Sequence, residues 1–361
     1  MTRVSVIGAA GLSGGELIRL VHQHPGLDLV HLGGHRHAGQ RLSAVHPGLR
    51  LRPDPLIEKV TDDLAARRCD AVLLATPAPV SARLAPRLSR TGAVVVDLSG
   101  AFRLRSAAAH ARWYPDADRP PGLVDHFVHG VPELVRDQLP QAALIALPGC
   151  YATAATLAVA PLVLGMDLCP RRLLIDAKGG SSGGGLTGRT ADAHPYRDGN
   201  ITPYAPAGHR HAAEIEEFFG RRTTEGPRVS MSAYGTGGVR GLLVSCYAFT
   251  ELGGDSDAAD AADAGDRTLL RAYIRFYRDH PFVRFRRQGE TAIPVPSPKA
   301  VNGSNYCDVS AVHDPDGERV IALAALDNLI KGAAGQAVQA LNLRFGYAED
   351  TGLAMLPVVP V

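Results

Sequence analysis

The chain has 361 residues, 45% of them hydrophobic and 20% charged, which excludes wholesale disorder and gives enough length for two domains of ordinary size. Its 38 basic and 36 acidic residues leave a formal net charge of +2, so a strongly basic nucleic-acid surface is not indicated. No apolar run reaches the ~20 residues of a membrane span, and the opening MTRVSVIGAAG lacks the layout of a secretory signal. The expectation is a cytoplasmic protein with neither a membrane nor a nucleic-acid partner. Cys69, Cys150, Cys169, Cys246 and Cys307 form no CxxC pair and no metal-ligand spacing, and read as reduced thiols.

The first strand is expected at residues 3–7 (RVSVI), followed by a turn carrying Gly8, Gly11 and Gly14 and then a helix with apolar Leu17, Leu20 and Val21. Glycine there permits a tight turn and lets backbone amides approach a pyrophosphate at the helix N-terminus. Dinucleotide binding is favoured over a merely structural turn. A second strand at 27–32 precedes Gly34, His35, Arg36 and His37. An NAD enzyme would usually place an acid at this point, whereas an arginine can pair with a 2′-phosphate. NADP(H) is therefore favoured over NAD, the alternative being that Arg36 is a solvated surface side chain. Continuous apolar runs at 71–75 and 93–98, with a helix at 80–88 between them, have the look of parallel strands buried on both faces. The first ~145 residues thus predict a doubly wound sheet.

After residue 150 the texture changes. A small-residue helix is expected at 151–163, a strand at 173–177, a glycine and serine cluster at 179–185, and longer strands such as 239–249. The acidic stretch 254–266 reads as the start of a helix running to about 278, with a surface loop as the alternative. A strand at 319–326 and an Ala-rich helix at 329–343 close the chain, the latter placed to return to the first domain.

Cys150 stands on a Pro-Gly turn that opens an apolar helix. A free thiol is only a few per cent ionised at pH 7, and a helix N-terminus stabilises the thiolate. Cys69, Cys246 and Cys307 lie in or beside apolar runs, where inert thiols are the default. A thiolate beside a nicotinamide attacks an activated acyl group and allows thioester and thiohemiacetal to interconvert. The acid/base this needs is sought in the segment Tyr204 to Glu214, which holds His209, His211 and Glu214. A helix start with surface polar residues is the plainer reading, and a metal pair at His209 and His211 lacks a third ligand, so no metal is expected.

The segments PGCYATA, DAKGGSSGGG, YAPAGHRHAAEIE, NGSNYCDV and DNLIKGAAGQAVQALNLRFGY resemble the N-acetyl-γ-glutamyl-phosphate reductase family, over nearly the whole chain. Its relatives include aspartate-semialdehyde dehydrogenase and the reductase of carrier-protein-bound aminoadipyl phosphate. The resemblance implies NADPH-dependent reduction of an acyl phosphate to a semialdehyde with release of phosphate. It implies Cys150 as nucleophile, His209 as acid/base, and Tyr204, His211 and Glu214 as supporting residues. Ala10, Gly11, Leu12 and Ser13 match the pyrophosphate turn, Asn328 a cofactor contact, and Ser182 and Gly183 a loop near the nicotinamide. Arg103 is the candidate for the acyl phosphate, since a guanidinium fork matches phosphate oxygens.

Three departures stand out. Gly34-His35 replaces the common Ser-Arg, leaving Arg36 alone for a 2′-phosphate. DLSGAFRL replaces DLSADFRL, with Ala101 in place of an acid, and GGSSGGG replaces SGVSGAG. The segment from His194 to His209, with Arg240 in GVRG, looks closer to the carrier-protein branch; Arg240 suits an acidic carrier terminus or an α-carboxylate. Carrier-bound glutamyl or aminoadipyl phosphate is thus favoured, with free N-acetyl-γ-glutamyl phosphate as the alternative and a non-catalytic dinucleotide sensor as the reading of another class. The expected architecture is α/β and aspartate-semialdehyde-dehydrogenase-like. A Rossmann-type domain spans 1–147 plus 328–361, and an α+β catalytic and oligomerisation domain spans 148–327. A homodimer or homotetramer is expected.

Overall fold

The computed structural model describes residues 1–60, 69–186, 190, 193–250, 258–314, 316 and 318–359. The chain forms two compact units, Met1–Gly149 with Ala333–Met355, and Cys150–Gly332 with Leu356–Val361. The return to the first unit therefore begins five residues later than 328. The last residues group with the second unit, where the Val358 amide donates to the Asn302 carbonyl at 2.9 Å.

The first unit is built on β1 (Thr2–Ile7), β2 (Leu27–Gly34), β3 (Glu58–Lys59), β4 (Ala71–Leu74), β5 (Val94–Asp97), β6 (Phe127–His129) and β7 (Leu144–Ala146). Their order is β3-β2-β1-β4-β5-β7-β6, and every pairing is parallel. Strands β4, β5 and β7 are buried along their whole length, which is why their sequences are apolar runs without alternation, broken only by Asp97 at the end of β5. Helices α1 (Leu12–Gln23), α2 (Leu42–Val45), α3 (Ala78–Leu88) and α4 (Ala107–Trp113) join them. Helix α1 buries Leu17, Ile18, Leu20 and Val21 on one face. Each such side chain stabilises the unit by about 1.5–3 kcal/mol as an upper estimate. The loops at the C-terminal ends of β1, β2 and β5 carry the candidate residues of this unit.

The second unit opens with α5 (Cys150–Ala160), in which every residue after Cys150 is buried. A helix apolar on all sides belongs in a core. It ends earlier than expected because Pro161 lacks an N–H donor, and a π-helical turn, Pro161–Gly165, follows. The remaining elements are β8 (Arg172–Gly179), α6 (His194–Arg197), β9 (Ile201–Ala205), α7 (Arg210–Gly220), β10 (Arg228–Thr236), β11 (Leu242–Phe249), α8 (Ala258–Tyr277), β12 (Val283–Phe285), β13 (Cys307–Asp314) and β14 (Arg319–Leu326). They form a mixed sheet of order β12-β13-β14-β11-β8-β10-β9. Strand β11 starts at Leu242 and not at 239, because Gly241 (φ +91) turns the chain there. The expected acidic helix appears as α8; residues 254–257 of that expectation lie outside the described residues.

Burial alternates along β8, β10 and β11. One face, with Leu173, Ile175, Ala177, Val244 and Cys246, is buried, and α5 packs with this sheet. The other face presents Leu174, Tyr247 and Ile321 in register across three strands, with Leu174 40% and Phe249 43% exposed. The chain then re-enters the first unit as α9 (Gly335–Phe345) after a π-helical turn, Ile330–Ala334. There the Gln339 amide donates to both Glu133 and Glu349 at 2.8 Å.

Candidate active site

In the first unit β1 runs into Gly8, whose φ of +92 few other residues adopt, and a Cβ there would lie 2.2 Å from the Ala75 carbonyl oxygen. The Gly8 and Ala9 amides donate to the Gly33 carbonyl at 2.9 and 3.1 Å, closing the turn. Gly11 is the N-cap of α1 and offers no side-chain cap. The Gly11 amide donates to the Gly8 carbonyl at 3.0 Å, and the helix then begins with amides at Leu12 and Ser13 that no N-cap side chain satisfies; Ala10, Gly11, Leu12 and Ser13 are all half-buried. A pyrophosphate fits this cradle, because backbone amides and the positive end of the helix dipole both favour an anion. His46, which the sequence reading passed over, donates from Nε2 to the Ala9 carbonyl at 2.8 Å. Beyond the end of β2 at Gly34, His35 and Arg36 are exposed.

The loop after β5 carries Arg103. Its Nε donates to the Leu147 carbonyl at 2.7 Å and its Nη2 to the Leu98 carbonyl at 2.6 Å, which fixes the plane of the guanidinium. Behind it the buried Asp97 accepts from the Ser99 amide and hydroxyl, both at 3.0 Å. Burial raises the Asp97 pKa, opposed by its hydrogen bonds with Ser99 and Ser81 and by the Arg103 charge. The unusual Gly100 has a local cause: a Cβ there would lie 2.0 Å from the Tyr114 ring. Ala101 is fully buried, so an acid at that position would be taken out of water.

In the second unit Cys150, half-buried, is the first residue of α5. Around it the structure gathers Tyr151, Tyr204, His209, His211 and Glu214. The Tyr151 and Tyr204 hydroxyls hydrogen-bond to one another, and both feel the charge of the Cys150 sulfur. Burial above all raises the pKa of each hydroxyl, so both are protonated donors. Ring centroids lie 5.8 Å apart for Tyr151 and His209, 6.1 Å for Tyr204 and His209, and 4.6 Å for His209 and His211. His209 caps α7, its Nδ1 accepting from the His211 amide at 3.2 Å. Burial, and next the Arg210 charge, hold the His209 pKa at about 4. His211 Nε2 is 3.8 Å from Glu214 Oε1, both buried side chains one turn apart on α7.

Two strand ends make room for this cluster. Gly179 and Gly235 are register partners at the ends of β8 and β10. A Cβ on Gly179 would lie 2.2 Å from the Tyr151 hydroxyl, and one on Gly235 would lie 1.6 Å from Arg197 Nη1. Arg197 is 7% exposed and donates to the Gly179 carbonyl at 3.5 Å. The sequence alone did not single out Tyr151 or Arg197. The glycines that end β8 and β10 were the available signal, and their meaning depends on a pairing that only the fold supplies.

The remaining residues form a second group. Asn328 donates from Nδ2 to the Ser182 hydroxyl at 2.9 Å and accepts from the Gly241 amide at 2.8 Å. Ser182 donates onward to the Val239 carbonyl at 2.6 Å, and Gly183 follows it in the same turn, where a Cβ would make only ordinary contact with Asn328 Nδ2. Arg240 reaches Asp327 Oδ2 at 3.4 Å. Asp327, fully buried and missed in the sequence, also accepts from the Gly303 and Leu329 amides, both at 2.9 Å. Among the described residues no group of three or more His, Cys, Asp or Glu side chains is placed to hold a metal ion, and no helix is long and apolar enough to cross a membrane.

A parallel sheet whose first strand ends on a glycine turn and helix, joined to a mixed-sheet unit that begins on a half-buried thiol, defines a two-domain dinucleotide-dependent oxidoreductase. Two family models meet at this division: the semialdehyde dehydrogenase NAD binding domain over residues 3–142 and the semialdehyde dehydrogenase dimerisation domain over 150–328. The chain belongs to the semialdehyde dehydrogenase family. It is 37% identical to the LysW-L-2-aminoadipate/LysW-L-glutamate phosphate reductase of Sulfurisphaera tokodaii, over 100% of both chains. It is also 37% identical to the N-acetyl-gamma-glutamyl-phosphate reductase of Synechocystis sp., over 99% of this chain and 98% of that one. In fold it is similar to aspartate semialdehyde dehydrogenase II of Vibrio cholerae, with a TM-score of 0.69 and 16% identity over 96% of this chain and 98% of that one. The aspartate semialdehyde dehydrogenase of Candida albicans, solved with NADP, matches with a TM-score of 0.66 and 14% identity over 95% and 98%. The aspartate-semialdehyde-dehydrogenase-like α/β architecture expected from the sequence is the one observed.

Proposed function

We propose that this chain reduces an ω-acyl phosphate of an N-substituted glutamate or 2-aminoadipate to the semialdehyde, with release of phosphate, through a thioester on Cys150. The observation that carries the reading is the position of Cys150 at the start of a wholly buried helix, within the electrostatic reach of two tyrosine hydroxyls that also flank His209. A thiolate is favoured at a helix start. It adds to the acyl carbon and phosphate departs with the bonding electron pair, leaving the thioester. NADPH, when bound, supplies the hydride that takes the thioester to the aldehyde level. Gly8, Ala10, Gly11, Leu12, Ser13 and Gly14 would hold its pyrophosphate, Gly34, His35 and Arg36 the adenosine end, and Ser182, Gly183 and Asn328 the nicotinamide end. Arg103 is assigned to the acyl phosphate. Tyr204, His211 and Glu214 orient the substrate and His209, and Arg240, steadied by Asp327, meets a carboxylate.

The favoured substrate is attached to a small acidic amino-group carrier protein. Support comes from the segment His194 to His209 and from relatives named for LysW-linked substrates. A free N-acetyl-γ-glutamyl phosphate is the second reading, supported by the Synechocystis relative. The test compares NADPH formation from N-acetylglutamate semialdehyde and from the same aldehyde coupled to an acidic carrier. Turnover of the uncoupled aldehyde at an ordinary KM would overturn the carrier preference. NADPH binding without turnover of either would favour a silent dinucleotide sensor. We also propose a homodimer or homotetramer built on the open face of the second sheet, where Leu174, Tyr247 and Ile321 form an apolar row. The dimerisation-domain match supports it. A charged residue at Leu174 should shift the assembly toward monomer in sedimentation.

A further inference from the structure

We propose that His129 is a positioning residue for Arg103, and that its doubly protonated ring fixes the Arg103 loop through two backbone carbonyls. The inference rests on the assignment of Arg103 to the acyl phosphate and adds a group that sets where that arginine stands. His129 ends β6, the edge strand of the first sheet, where it is the register partner of Ala146 on β7. Its Nδ1 lies 3.3 Å from the Arg103 carbonyl oxygen and its Nε2 2.9 Å from that of Val124. A carbonyl oxygen only accepts, and a neutral imidazole has a single N–H. In the neutral ring one nitrogen would set its lone pair against a carbonyl lone pair, whereas the imidazolium donates to both.

The loop this ring holds runs from Leu98 to Leu104, and several of its carbonyls are met by cationic side chains. Arg103 donates from Nη2 to the Leu98 carbonyl at 2.6 Å, and Arg119 donates to the Ala101 carbonyl at 2.9 Å and to that of Leu104. Leu147, next to Ala146 at the end of β7, accepts from Arg103 Nε at 2.7 Å. The guanidinium is thus held from the ends of β5 and β7, and the backbone of the same residue from the end of β6. Ligands of parallel sheets collect at these C-terminal strand ends. Arginine stays charged at every working pH, so among these anchors His129 is the one whose charge changes near neutrality.

Charged groups on the neighbouring segments act in both directions. Arg103, Arg105 and Arg119 disfavour a further cation, while Asp125, in the turn Leu123–His126 and 3.7 Å from Arg105, favours it. His126 ends that turn and is exposed, and the Phe127 ring stands edge-on to His129 at 6.4 Å. Arg105, like the other two arginines, directs a donor to a backbone carbonyl, that of Phe127 at 3.2 Å. The two carbonyls facing the His129 ring favour its charged form directly, because each bonds to one of its two protons. As pH rises through the titration of the ring, one of these bonds is replaced by lone-pair repulsion and the loop loosens. Arg103 is then less well placed, and phosphate binding weakens while the steps that follow it change little.

Two measurements test the proposal. In protein labelled with 15N in its histidine rings, with the His129 signals found by their absence in His129→Gln, NMR should show both ring nitrogens protonated at pH 7. A chiefly neutral His129 ring at that pH would overturn it. The second measurement follows the aldehyde-oxidising direction, in which inorganic phosphate is a substrate, with whichever of the two aldehydes named above is turned over. His129→Gln keeps one donor and does not titrate. At pH 6 it should raise the KM for phosphate about three- to tenfold, the worth of one net hydrogen bond, with kcat and the KM for NADP+ within about threefold. The ratio of this KM to that of the unmutated protein, in which the ionisation of phosphate itself cancels, should fall toward one by pH 8.5. A ratio independent of pH, whether raised or not, would overturn the positioning role. Arg103→Gln separates this from the assignment beneath it and should raise the KM for phosphate at every pH. If it does not, the assignment of Arg103 to phosphate fails and the role of His129 in phosphate binding with it, while the NMR result stands as a property of the loop.

Discussion

Gly332 lies against Cys150: a Cβ built on Gly332 would sit 2.7 Å from the Cys150 Cβ and 3.2 Å from Leu326 Cδ1. The Gly332 amide donates to the Asp327 carbonyl at 3.0 Å, so the backbone cannot simply move aside. A side chain here must push on the first residue of α5. Gly332→Ala should lower kcat by tenfold or more, since displacement of a reacting group by ~1 Å is worth about 10². Steady-state kinetics with a thermal melt check this; kcat unchanged beside an ordinary Tm would show that the contact does not set the sulfur's position.

Gly235 performs the same service for Arg197, whose Nη1 a Cβ would meet at 1.6 Å. The Arg197 charge lowers the pKa of the Tyr151 and Tyr204 hydroxyls, against the larger effect of burial. Gly235→Ala should therefore expel the guanidinium, raise the tyrosine pKa further and reduce kcat/KM by about tenfold, with a lower Tm. A variant that kept both kcat/KM and Tm would separate Arg197 from the site.

His209 links the site to acid stability. Its unfolded-state pKa is about 6.5 and its folded pKa about 4, so the unfolded chain binds the extra proton between these values. The contribution is fully present above pH ~6.5 and is lost as pH falls toward 4. His209→Gln removes the titrating group. The Tm difference between the unmutated protein and this variant should therefore narrow from pH 7.5 to 4.5, and a difference independent of pH would contradict the assignment.

The two ends of the glycine turn make separable predictions. Arg36 is exposed beyond β2, whereas His46 supports the turn through the Ala9 carbonyl at 2.8 Å. Arg36→Ala should weaken NADPH binding by about tenfold or more and leave NADH nearly unchanged. His46→Ala should weaken both alike. Fluorescence titration of the two dinucleotides distinguishes them, and an equal effect of Arg36→Ala on both would remove the case for a 2′-phosphate contact.

Much of the first unit was legible because its sheet is buried on both faces. Runs such as AVLL and VVV are unbroken, and a strand, glycine turn and helix follow in order from Thr2. The second unit was harder. Strand β9 is short and exposed, and in β10 the alternation of Val229, Met231 and Ala233 with serines gives way to Tyr234, Gly235 and Thr236, so its signal is brief. Cys150 was singled out by its place at a helix start, and His209, His211 and Glu214 by their acid/base side chains within one segment and by family resemblance. Tyr151 was hidden as one more residue in an apolar helix, and Arg197 in a polar loop. Their importance lies in which strand ends they meet, and strand pairing is not written in local sequence.

Intact-protein mass spectrometry, on protein mixed with the acyl phosphate in the absence of nicotinamide, tests the central claim most directly. The account predicts a mass increase equal to the acyl group, mapped to the peptide that holds Cys150, released by hydroxylamine and missing in Cys150→Ser. An unmodified Cys150 peptide under conditions where added NADPH gives full turnover would contradict it.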